Sequence, residues 1–241
     1  MTDPLVTIMM PTRNRAHFLL DAIGSVLGQS YKNWELIIVD DGSDKTTKTL
    51  CIFFQELDRR IRYYKTRNRM TIPQARNRAL RLSRGSFVGH LDDDDLLHRN
   101  AIGEIVNEFK KNPQLALVYS DFLVIDDAGE KIIREDIGPD FNRNNLLNLG
   151  FRHFTIYKKS AAMNVGGFNE HVWCEDGDLF MQIAQKHECK HIPKFLYFYR
   201  SHATNIGHRR PTCQTCDRTA VCNYYKIWEK QSRKMTIMKN A

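Results

Sequence analysis

The sequence predicts a doubly wound α/β domain, in which a mostly parallel sheet lies between helices. The first half of the chain alternates short continuous apolar runs with longer segments whose apolar residues recur at helical spacing. Such alternation is typical of βαβ units. Polar clusters follow three of the apolar runs, and ligands bind just beyond the carboxyl ends of the strands in sheets of this kind.

The first half contains four predicted strands joined by predicted helices. Continuous apolar runs predict buried strands at residues 6–10, 34–39, 61–65 and 87–91. Apolar residues three or four positions apart predict helices at residues 18–27, 50–57 and 74–82. The expected buried face of the second helix carries Leu50, Phe53, Phe54 and Leu57.

The second half of the chain is less regular. A helix is expected to begin near Leu96, and the later predicted elements are a strand at 115–125, a turn with a short return strand, an irregular connection at 136–150, a helix at 179–186 and a strand at 191–199. No internal repeat or low-complexity linker interrupts the chain. We therefore expect one compact domain followed by a C-terminal extension.

Composition and charge exclude several classes of protein. Of the 241 residues, 42% are hydrophobic and 27% are charged, which excludes a disordered chain, and the longest aliphatic runs are far too short for a membrane span. Nine basic and two acidic residues after position 199 carry nearly all of the net charge of +8. We expect this basic tail to contact an anionic membrane surface or to be a solvated helix face, and we expect no nucleic acid partner. The N-terminus lacks the basic region of a signal peptide, which predicts a cytoplasmic protein, peripheral at the inner face of the membrane.

The six cysteines do not indicate a disulfide framework, because no export signal precedes them. Three of them lie close together in the extension, at Cys213, Cys216 and Cys222, with His208 upstream. These four side chains match the ligand types of a structural zinc site, but there is no second CxxC pair. A zinc site and free thiols both remain open.

Four consecutive aspartates, Asp92 to Asp95, follow the fourth predicted strand. Adjacent carboxylates repel one another unless a cation neutralises them or they point into water. Carboxylate oxygens suit Mn²⁺ or Mg²⁺, which bind proteins through one or two carboxylates together with the phosphates of a substrate. The run therefore predicts a metal site, and the alternative is a loop that caps the next helix.

A second acidic cluster, Asp40 to Ser43, follows the second predicted strand. Its acids can accept hydrogen bonds from a base or a ribose, although a strand–turn–helix junction uses the same residue types. No GxGxxG follows the first strand and no GxxxxGK[ST] occurs, which argues against the dinucleotide and P-loop modes of nucleotide binding.

Five motifs together resemble the inverting family 2 glycosyltransferases, which have the GT-A fold. In chain order they are residues 10–44 (MPTRNRAHF through VDDGSD), IPQARNRAL at 72–80, RGSFVGHLDDDDLL at 84–97, GGFNE at 166–170 and CEDGDLFMQIA at 174–184. The segment YRSHATNI is similar to the transferase domains of bacterial capsular and glycosaminoglycan-type polysaccharide synthases. The resemblance implies a transferase domain at 1–208, with a nucleotide-binding half at about 1–97 and an acceptor half at about 98–208, before the extension at 209–241.

The resemblance also implies roles for individual residues. The residues expected to bind the nucleotide sugar are Pro11, Thr12, Asp40, Asp41, Arg76, Asp92 and Asp93. Asp92 and Asp94 match the DxD element, with Asp94 as metal ligand, Asp92 beside the ribose and the metal, and His202 completing the metal site. Asp176 matches the catalytic base. Taken alone, Asp176 could instead cap the following helix, and His202 could be a surface histidine.

The activity implied is transfer of a sugar, with inversion, from a nucleotide sugar to a hydroxyl of a glycan or lipid-linked acceptor. The donor is expected to be UDP-linked, the cofactor Mn²⁺ or Mg²⁺ and the transferred group a hexosyl or N-acetylhexosaminyl unit. Two alternatives are a sugar nucleotidyltransferase, whose glycine-rich basic loop is missing here, and a catalytically degenerate polyanion-binding protein.

Overall fold

The structure is a computed structural model that describes residues 3–143, 153–172 and 174–205. Its helices are α1 (Ala16–Leu27), α2 (Lys45–Leu57), α3 (Ile72–Leu82), α4 (Ala101–Lys111), α5 (Lys159–Asn164) and α6 (Glu175–Lys186). Its strands are β1 (Val6–Thr12), β2 (Trp34–Asp40), β3 (Ile61–Lys65), β4 (Phe87–His90), β5 (Leu96–Leu97), β6 (Leu115–Ile125), β7 (Ile132–Asp136), β8 (Thr155–Lys158) and β9 (Glu188–Arg200).

All the strands belong to one sheet in the order β3-β2-β1-β4-β8-β6-β9-β5, with β7 paired to β6. The first four strands are mutually parallel, and β6 and β9 run in the same direction. Strands β5, β7 and β8 run the opposite way. The expectation of a mostly parallel sheet is therefore confirmed, and the antiparallel strands lie in its second half.

Helices cover both faces of the sheet, as the expected doubly wound arrangement requires. Side chains of β1 and β2 alternate between two hydrophobic clusters, so that Ile8 and Met9 point to opposite faces. The first cluster includes buried residues of α1, α2 and α4, and the second includes buried residues of α3, α5 and α6. Both faces of the central strands are buried, which explains their continuous apolar sequences.

Local capping interactions begin the two helices that follow β2 and β3. The Asp44 side chain accepts a hydrogen bond from the Thr47 amide at 2.8 Å and caps α2. Thr71 and Gln74 form a capping box at the start of α3, where Pro73 occupies a position that has no need of an amide hydrogen. The capping box gives α3 a defined start beside the carboxyl end of β2.

Two of the expectations for individual helices are wrong. The helix expected near Leu96 begins at Ala101, because Leu96 and Leu97 pair with β9 as a short antiparallel strand. In α2, Phe53 and Leu57 are 55% and 62% exposed, and the buried residues are Thr47, Cys51 and Phe54. The buried stripe of α2 includes a small hydroxyl side chain, which an assignment by hydrophobicity alone overlooks.

In the second half, the structure adds elements that the sequence pattern did not reveal. Strand β8 and the short helix α5 occupy a segment left without an assigned element, and β8 lies between β4 and β6 in the sheet. Helix α6 begins at Glu175, four residues before the expected start. Its acidic first turn lowers hydrophobicity where the helix begins, and acids are favourable there because of the helix dipole.

The described cysteines, Cys51, Cys174 and Cys189, are free thiols. The predicted extension at 209–241, with its basic residues and with Cys213, Cys216 and Cys222, lies outside the described residues. Within the part of the chain that the structure describes, no helix is both long and apolar enough to cross a membrane.

Candidate active site

An open cleft of about 610 Å³ lies beyond the carboxyl ends of β1, β2 and β4. This position is where ligands bind in doubly wound sheets. The first turn of α6 and the end of β9 contribute to its other wall. Most of the predicted site residues line the cleft, namely Pro11, Thr12, Asp41, Arg76, Asp92, Asp93, Asp94 and Asp176.

The carboxyl end of β1 holds the second aspartate of the run. The Thr12 hydroxyl donates to Asp93 Oδ2 at 2.6 Å, and the Arg13 amide donates to the same oxygen at 3.3 Å. Burial, followed by the charge of Asp94, raises the pKa of Asp93 to about 7. The Asp93 carboxyl therefore holds a proton more readily than an isolated aspartate does.

The two acids at the end of β2 occupy different environments. Asp40 is fully buried, and its carboxylate accepts hydrogen bonds from the Ser43 amide at 2.8 Å and from the Tyr63 hydroxyl at 2.5 Å. Asp41 reaches the cleft, where its carboxylate accepts from the Met70 amide at 2.6 Å. The structure therefore brings Asp41 to the surface of the cleft and leaves Asp40 to hold the turn below it.

Two arginines lie beside Asp41. Arg69 Nε is 3.2 Å from Asp41 Oδ2, and an Arg13 nitrogen is 3.9 Å from the same oxygen. The Arg69 and Arg13 side chains are 66% and 41% exposed, so both cations are accessible from the cleft.

Arg76, on α3, lies between the aspartate run and α6. One of its terminal nitrogens donates to Asp92 at 2.8 Å and the other donates to Glu175 at 2.8 Å. The second nitrogen is also 3.8 Å from Asp176 Oδ2. Burial would lower the pKa of Arg76, but the charges of Asp92, Glu175 and Asp176 outweigh it and raise the pKa, so the guanidinium stays charged.

At the other end of the aspartate run, Asp94 meets the end of β9. His202 Nε2 lies 3.0 Å from Asp94 Oδ2, and an Arg15 nitrogen lies 3.6 Å from the same oxygen. Burial and then the charge of Asp92 raise the pKa of Asp94, although His202 and Arg15 oppose the shift. Asp94 and His202 are 108 residues apart in sequence, and the structure brings them into contact.

Asp95 points away from the cleft and has a structural environment. It is fully buried and accepts hydrogen bonds from the Tyr197 hydroxyl at 2.6 Å and from the Arg200 amide at 2.7 Å. The Arg200 side chain donates to the Asp94 carbonyl oxygen at 2.9 Å. Tyr197 and Arg200 therefore anchor the loop from behind, while Asp92 and Asp94 face forward.

The predicted metal ligands present a suitable set of donor atoms. Asp92 and Asp94 supply carboxylate oxygens and His202 an imidazole nitrogen, a combination that suits Mn²⁺ and, for the oxygens, Mg²⁺. A second group in the described part of the chain comprises Asp92, Asp95 and His153, whose ligand atoms lie within 4.8 Å of one another. Asp92 belongs both to this group and to the predicted set, and both oxygens of Asp95 accept hydrogen bonds from the protein.

The sequence pattern missed several residues of the cleft. His153 lines it and stacks on Tyr199, with ring centroids 4.6 Å apart. Glu170 also lines it and accepts a hydrogen bond from Asn77 at 3.1 Å. Neither residue follows a strand of the first half, so position at a strand end could not reveal them, although Glu170 closes the GGFNE motif.

Asn77 of α3 holds the backbone of the GGFNE segment. Asn77 donates to the Phe168 carbonyl oxygen and accepts from the Phe168 amide, both at 2.8 Å. Gly167 has φ +78°, and a Cβ there would lie 2.7 Å from Asn77 Oδ1. Glycine is therefore required by both the backbone conformation and the close approach.

Residues 7–172 match the family described as Glycosyl transferase family 2. The chain belongs to this family. The match includes the ends of β1, β2 and β4 and the GGFNE segment, and it stops just before the first turn of α6. The resemblance inferred from the motifs is confirmed.

Characterised relatives of this family 2 domain are bacterial glycosyltransferases. The chain is 30% identical to "Chondroitin synthase" of Escherichia coli over 91% of its own length and 32% of the relative. It is 31% identical to "UDP-Glc:alpha-D-GlcNAc-diphosphoundecaprenol beta-1,3-glucosyltransferase WfgD" of Escherichia coli, over 77% of this chain and 72% of that protein. The chain thus spans about a third of the length of the chondroitin synthase.

Solved structures with the same fold are GT-A glycosyltransferases such as TarS. The S. aureus TarS 1-349 structure in complex with UDP-GlcNAc has a TM-score of 0.70 and 16% identity, over 86% of this chain and 61% of that one. The mannosyltransferase PcManGT from Pyrobaculum calidifontis, in complex with GDP-Man and Mn²⁺, has a TM-score of 0.67 and 18% identity, over 85% and 59%. The predicted GT-A fold is confirmed.

Proposed function

We propose that this family 2 domain transfers a hexosyl or N-acetylhexosaminyl group from a UDP-linked sugar to an acceptor hydroxyl, with inversion at the anomeric carbon. One observation carries the proposal. Asp92 of the DxD element and Asp176 lie 2.8 and 3.8 Å from the same guanidinium, that of Arg76, in a single open cleft. Donor-binding and proton-accepting carboxylates are thus close enough to act on one sugar.

The nucleotide is assigned to the wall formed by β1, β2 and the aspartate run. Asp41 is the acid assigned to the uracil base, Pro11 and Thr12 border it, and the exposed cations Arg13 and Arg69 suit a diphosphate. Asp40 supports this wall from below through its turn. The choice of UDP is supported by WfgD, whose name includes UDP-Glc, and by TarS, whose structures contain UDP-GlcNAc and UDP.

A divalent cation, Mn²⁺ or Mg²⁺, would be held by Asp94, Asp92 and His202. When bound, it would supply charge neutralisation of the leaving diphosphate. Asp93 accepts a hydrogen bond from the Thr12 hydroxyl and keeps the loop in place beside the ligands. The Mn²⁺ in the PcManGT complex supports a cation in this fold.

Asp176 is the proposed general base. Its carboxylate is partly exposed, with 30% of the side chain accessible, and Asp176 Oδ1 accepts a hydrogen bond from the Gly177 amide at 2.7 Å. It accepts the proton of the acceptor hydroxyl while that oxygen attacks the anomeric carbon from the face opposite the diphosphate. A single displacement inverts the configuration, so the chain needs no covalent nucleophile.

The acceptor is proposed to be a glycan or a lipid-linked saccharide. The relatives support this class, since WfgD by its name acts on a diphosphoundecaprenol-linked sugar and another relative is by its name a chondroitin synthase. His153, Glu170 and Tyr199 border the part of the cleft beside Asp176 and provide polar and aromatic surface for a saccharide.

Family membership favours this activity over a sugar nucleotidyltransferase. A catalytically degenerate polyanion-binding protein is distinguished by experiment. Thermal unfolding is measured with UDP, GDP, CDP, ADP and TDP, each with and without Mn²⁺. A nucleotide at about 100 times its Kd stabilises the folded state by roughly 2.7 kcal/mol, so we expect stabilisation by UDP that requires the metal.

Two variants make this experiment specific. Asp94→Ala removes a proposed metal ligand and is expected to abolish the metal-dependent stabilisation by UDP. Asp127→Ala, which changes an exposed acid outside the cleft, is the matched control and is expected to respond like the unmodified chain. Unfolding that no nucleotide alters, or an Asp94→Ala variant that responds normally, would contradict the proposed donor site.

The basic tail is proposed to bring the domain to an anionic membrane surface at the cytoplasmic face, where lipid-linked acceptors are located. Residues 200–241 carry nine basic and two acidic side chains. Deletion of residues 210–241 is expected to weaken sedimentation with vesicles containing phosphatidylglycerol, at low salt more than at high salt. Unchanged sedimentation at low salt would remove this role from the tail.

A further inference from the structure

We propose that Arg76 is a positioning residue. Its guanidinium fixes the position of Asp92, on the donor side of the cleft, relative to the first turn of α6, which carries the proposed base Asp176. Arg76 itself makes no contact with the nucleotide. The sequence resemblance places Arg76 beside the nucleotide, so this is a different role for the same residue. The inference rests on the proposed function, because it gives Asp92 and Asp176 the tasks described above.

The contacts of the guanidinium carry the proposal. Arg76 is 3% exposed, and each of its terminal nitrogens donates to a protein carboxylate at 2.8 Å, one to Asp92 and one to Glu175. Both terminal nitrogens are therefore engaged with the protein, and Arg76 Nε is buried without a hydrogen-bond partner among the described residues. Only 4% of the side chain is exposed, which leaves little surface for a nucleotide phosphate to contact.

Glu175 lies at the lining of the cleft but is almost fully buried. It is 2% exposed, whereas its neighbour Asp176 is partly exposed to the cleft. A buried carboxylate is destabilising unless it is paired, and Arg76 supplies that pairing. Glu175 thus ties the first turn of α6, and with it Asp176, to the guanidinium.

Helix α3 is a rigid support for the bridge that Arg76 forms between Asp92 and Glu175. It begins in a capping box, packs its buried side chains on the second hydrophobic cluster, and holds the Phe168 backbone through Asn77. The Phe168 ring lies 5.9 Å from the guanidinium carbon of Arg76. Neighbouring residues of one helix therefore hold both the acidic bridge and the GGFNE segment.

The accessible cations of the cleft lie elsewhere. Arg13 and Arg69 are partly exposed beside Asp41, on the wall assigned to the nucleotide. Arg76 differs from them because it is buried and both of its terminal nitrogens donate to carboxylates. This contrast separates phosphate-binding arginines from one that positions carboxylates, and arginine suits the second task because its planar fork bonds two carboxylates at once.

The test compares Arg76→Lys and Glu175→Gln with Arg81→Lys, a matched control on the exposed face of the same helix. Turnover of UDP-sugar is measured together with the Kd for UDP and Mn²⁺ by titration calorimetry. Lysine keeps the charge but cannot bond both carboxylates, so we expect kcat to fall by about 10²-fold, the scale of a small misplacement of reacting groups. Glu175→Gln is expected to lower kcat in the same direction with a UDP Kd within about threefold of the unmodified value.

Two results would overturn the inference. One is a UDP Kd weakened by about tenfold or more in Arg76→Lys, with kcat of that variant unchanged and with the UDP Kd of Glu175→Gln unchanged. That pattern is the signature of a nucleotide contact. The other is unchanged kcat in both variants. If Arg76→Lys does not fold, the Glu175→Gln measurements decide alone.

An outcome in which the unmodified chain transfers no sugar would refute the proposed function and leave the bridge to be tested separately. A double-mutant cycle on thermal unfolding then compares Arg76→Lys, Glu175→Gln and the combined variant. Effects that are less than additive support a direct bridge, because the second change has nothing left to break. Additive effects overturn it.

Discussion

The two walls of the cleft are built in different ways. On the donor wall, the site residues Thr12, Asp41 and Asp92 to Asp94 follow directly from parallel strands β1, β2 and β4. On the opposite wall, Asp176 lies in the first turn of a helix and His202 lies beyond the last strand. The donor wall is thus placed by sheet topology, and the opposite wall by side-chain contacts that join distant segments.

Those contacts identify what the opposite wall depends on. Glu175 reaches Arg76 across 99 residues, Phe168 reaches Asn77 across 91, and His202 reaches Asp94 across 108. Each contact joins the second half of the chain to the first. Variants of the opposite wall, except at the proposed metal ligand His202, are therefore expected to alter chemistry and leave nucleotide binding intact.

The largest expected effect comes from Asp176→Asn, which removes the proposed base. General-base catalysis contributes about 10²- to 10⁴-fold, so we expect kcat to fall by at least about 10²-fold. The UDP Kd should be unchanged, because the donor wall keeps all its residues. Asp127→Asn is the control, and an Asp176→Asn variant with normal turnover would take the role of base away from Asp176.

A smaller effect is expected from Asn77→Ala, which releases the GGFNE segment from α3. The buried backbone groups of Phe168 lose their hydrogen bonds, which costs about 1–3 kcal/mol of unfolding free energy. Denaturant unfolding and steady-state kinetics check this, with a lower kcat expected and the UDP Kd retained. Asn100→Ala, whose side chain does not cap α4, is the control. Loss of UDP binding in Asn77→Ala would show that the walls are not separable.

The smallest effect on turnover is expected from Glu35→Gln, which lies on β2 below the donor wall. Burial alone would raise the pKa of Glu35, but hydrogen bonds from Arg84, Thr7 and Arg62 outweigh it and lower the pKa below 4.5. The charged form therefore stabilises the fold above about pH 4.5, and this contribution is lost as the pH falls through the lowered value.

At pH 7 we expect Glu35→Gln to lower the unfolding free energy by about 1–3 kcal/mol, since Arg62 and Arg84 then face a neutral amide. The difference from the unmodified chain should shrink as the pH falls below about 4.5. Chemical denaturation across pH 3–7 measures both, with the exposed Glu130→Gln as control. A difference in unfolding free energy that stays constant with pH would contradict the role given to the Glu35 carboxylate. A changed kcat would show that the contacts of Glu35 influence the active site.

The first half of the fold was predictable because its elements have strong local signals. Strands β1 to β4 are short apolar runs buried on both faces, and α1 and α3 have clear apolar stripes. The helix expected near Leu96 failed because the pairing of Leu96 and Leu97 with β9 depends on a strand almost 100 residues later. Strand β8 was missed for the same reason, as its partners are β4 and β6.

The sequence alone determined the class of fold and the family to which the chain belongs, and it predicted the edge of the sheet at which the cleft lies. These depend on periodicity, on acids at strand ends and on motif order, which are properties of consecutive residues. Only the tertiary structure separated Asp41 from the buried Asp40, turned Asp95 away from the cleft and gave Arg76 two carboxylate partners. Burial and hydrogen bonding of a side chain depend on neighbours from distant segments, and that information arises only when the chain folds.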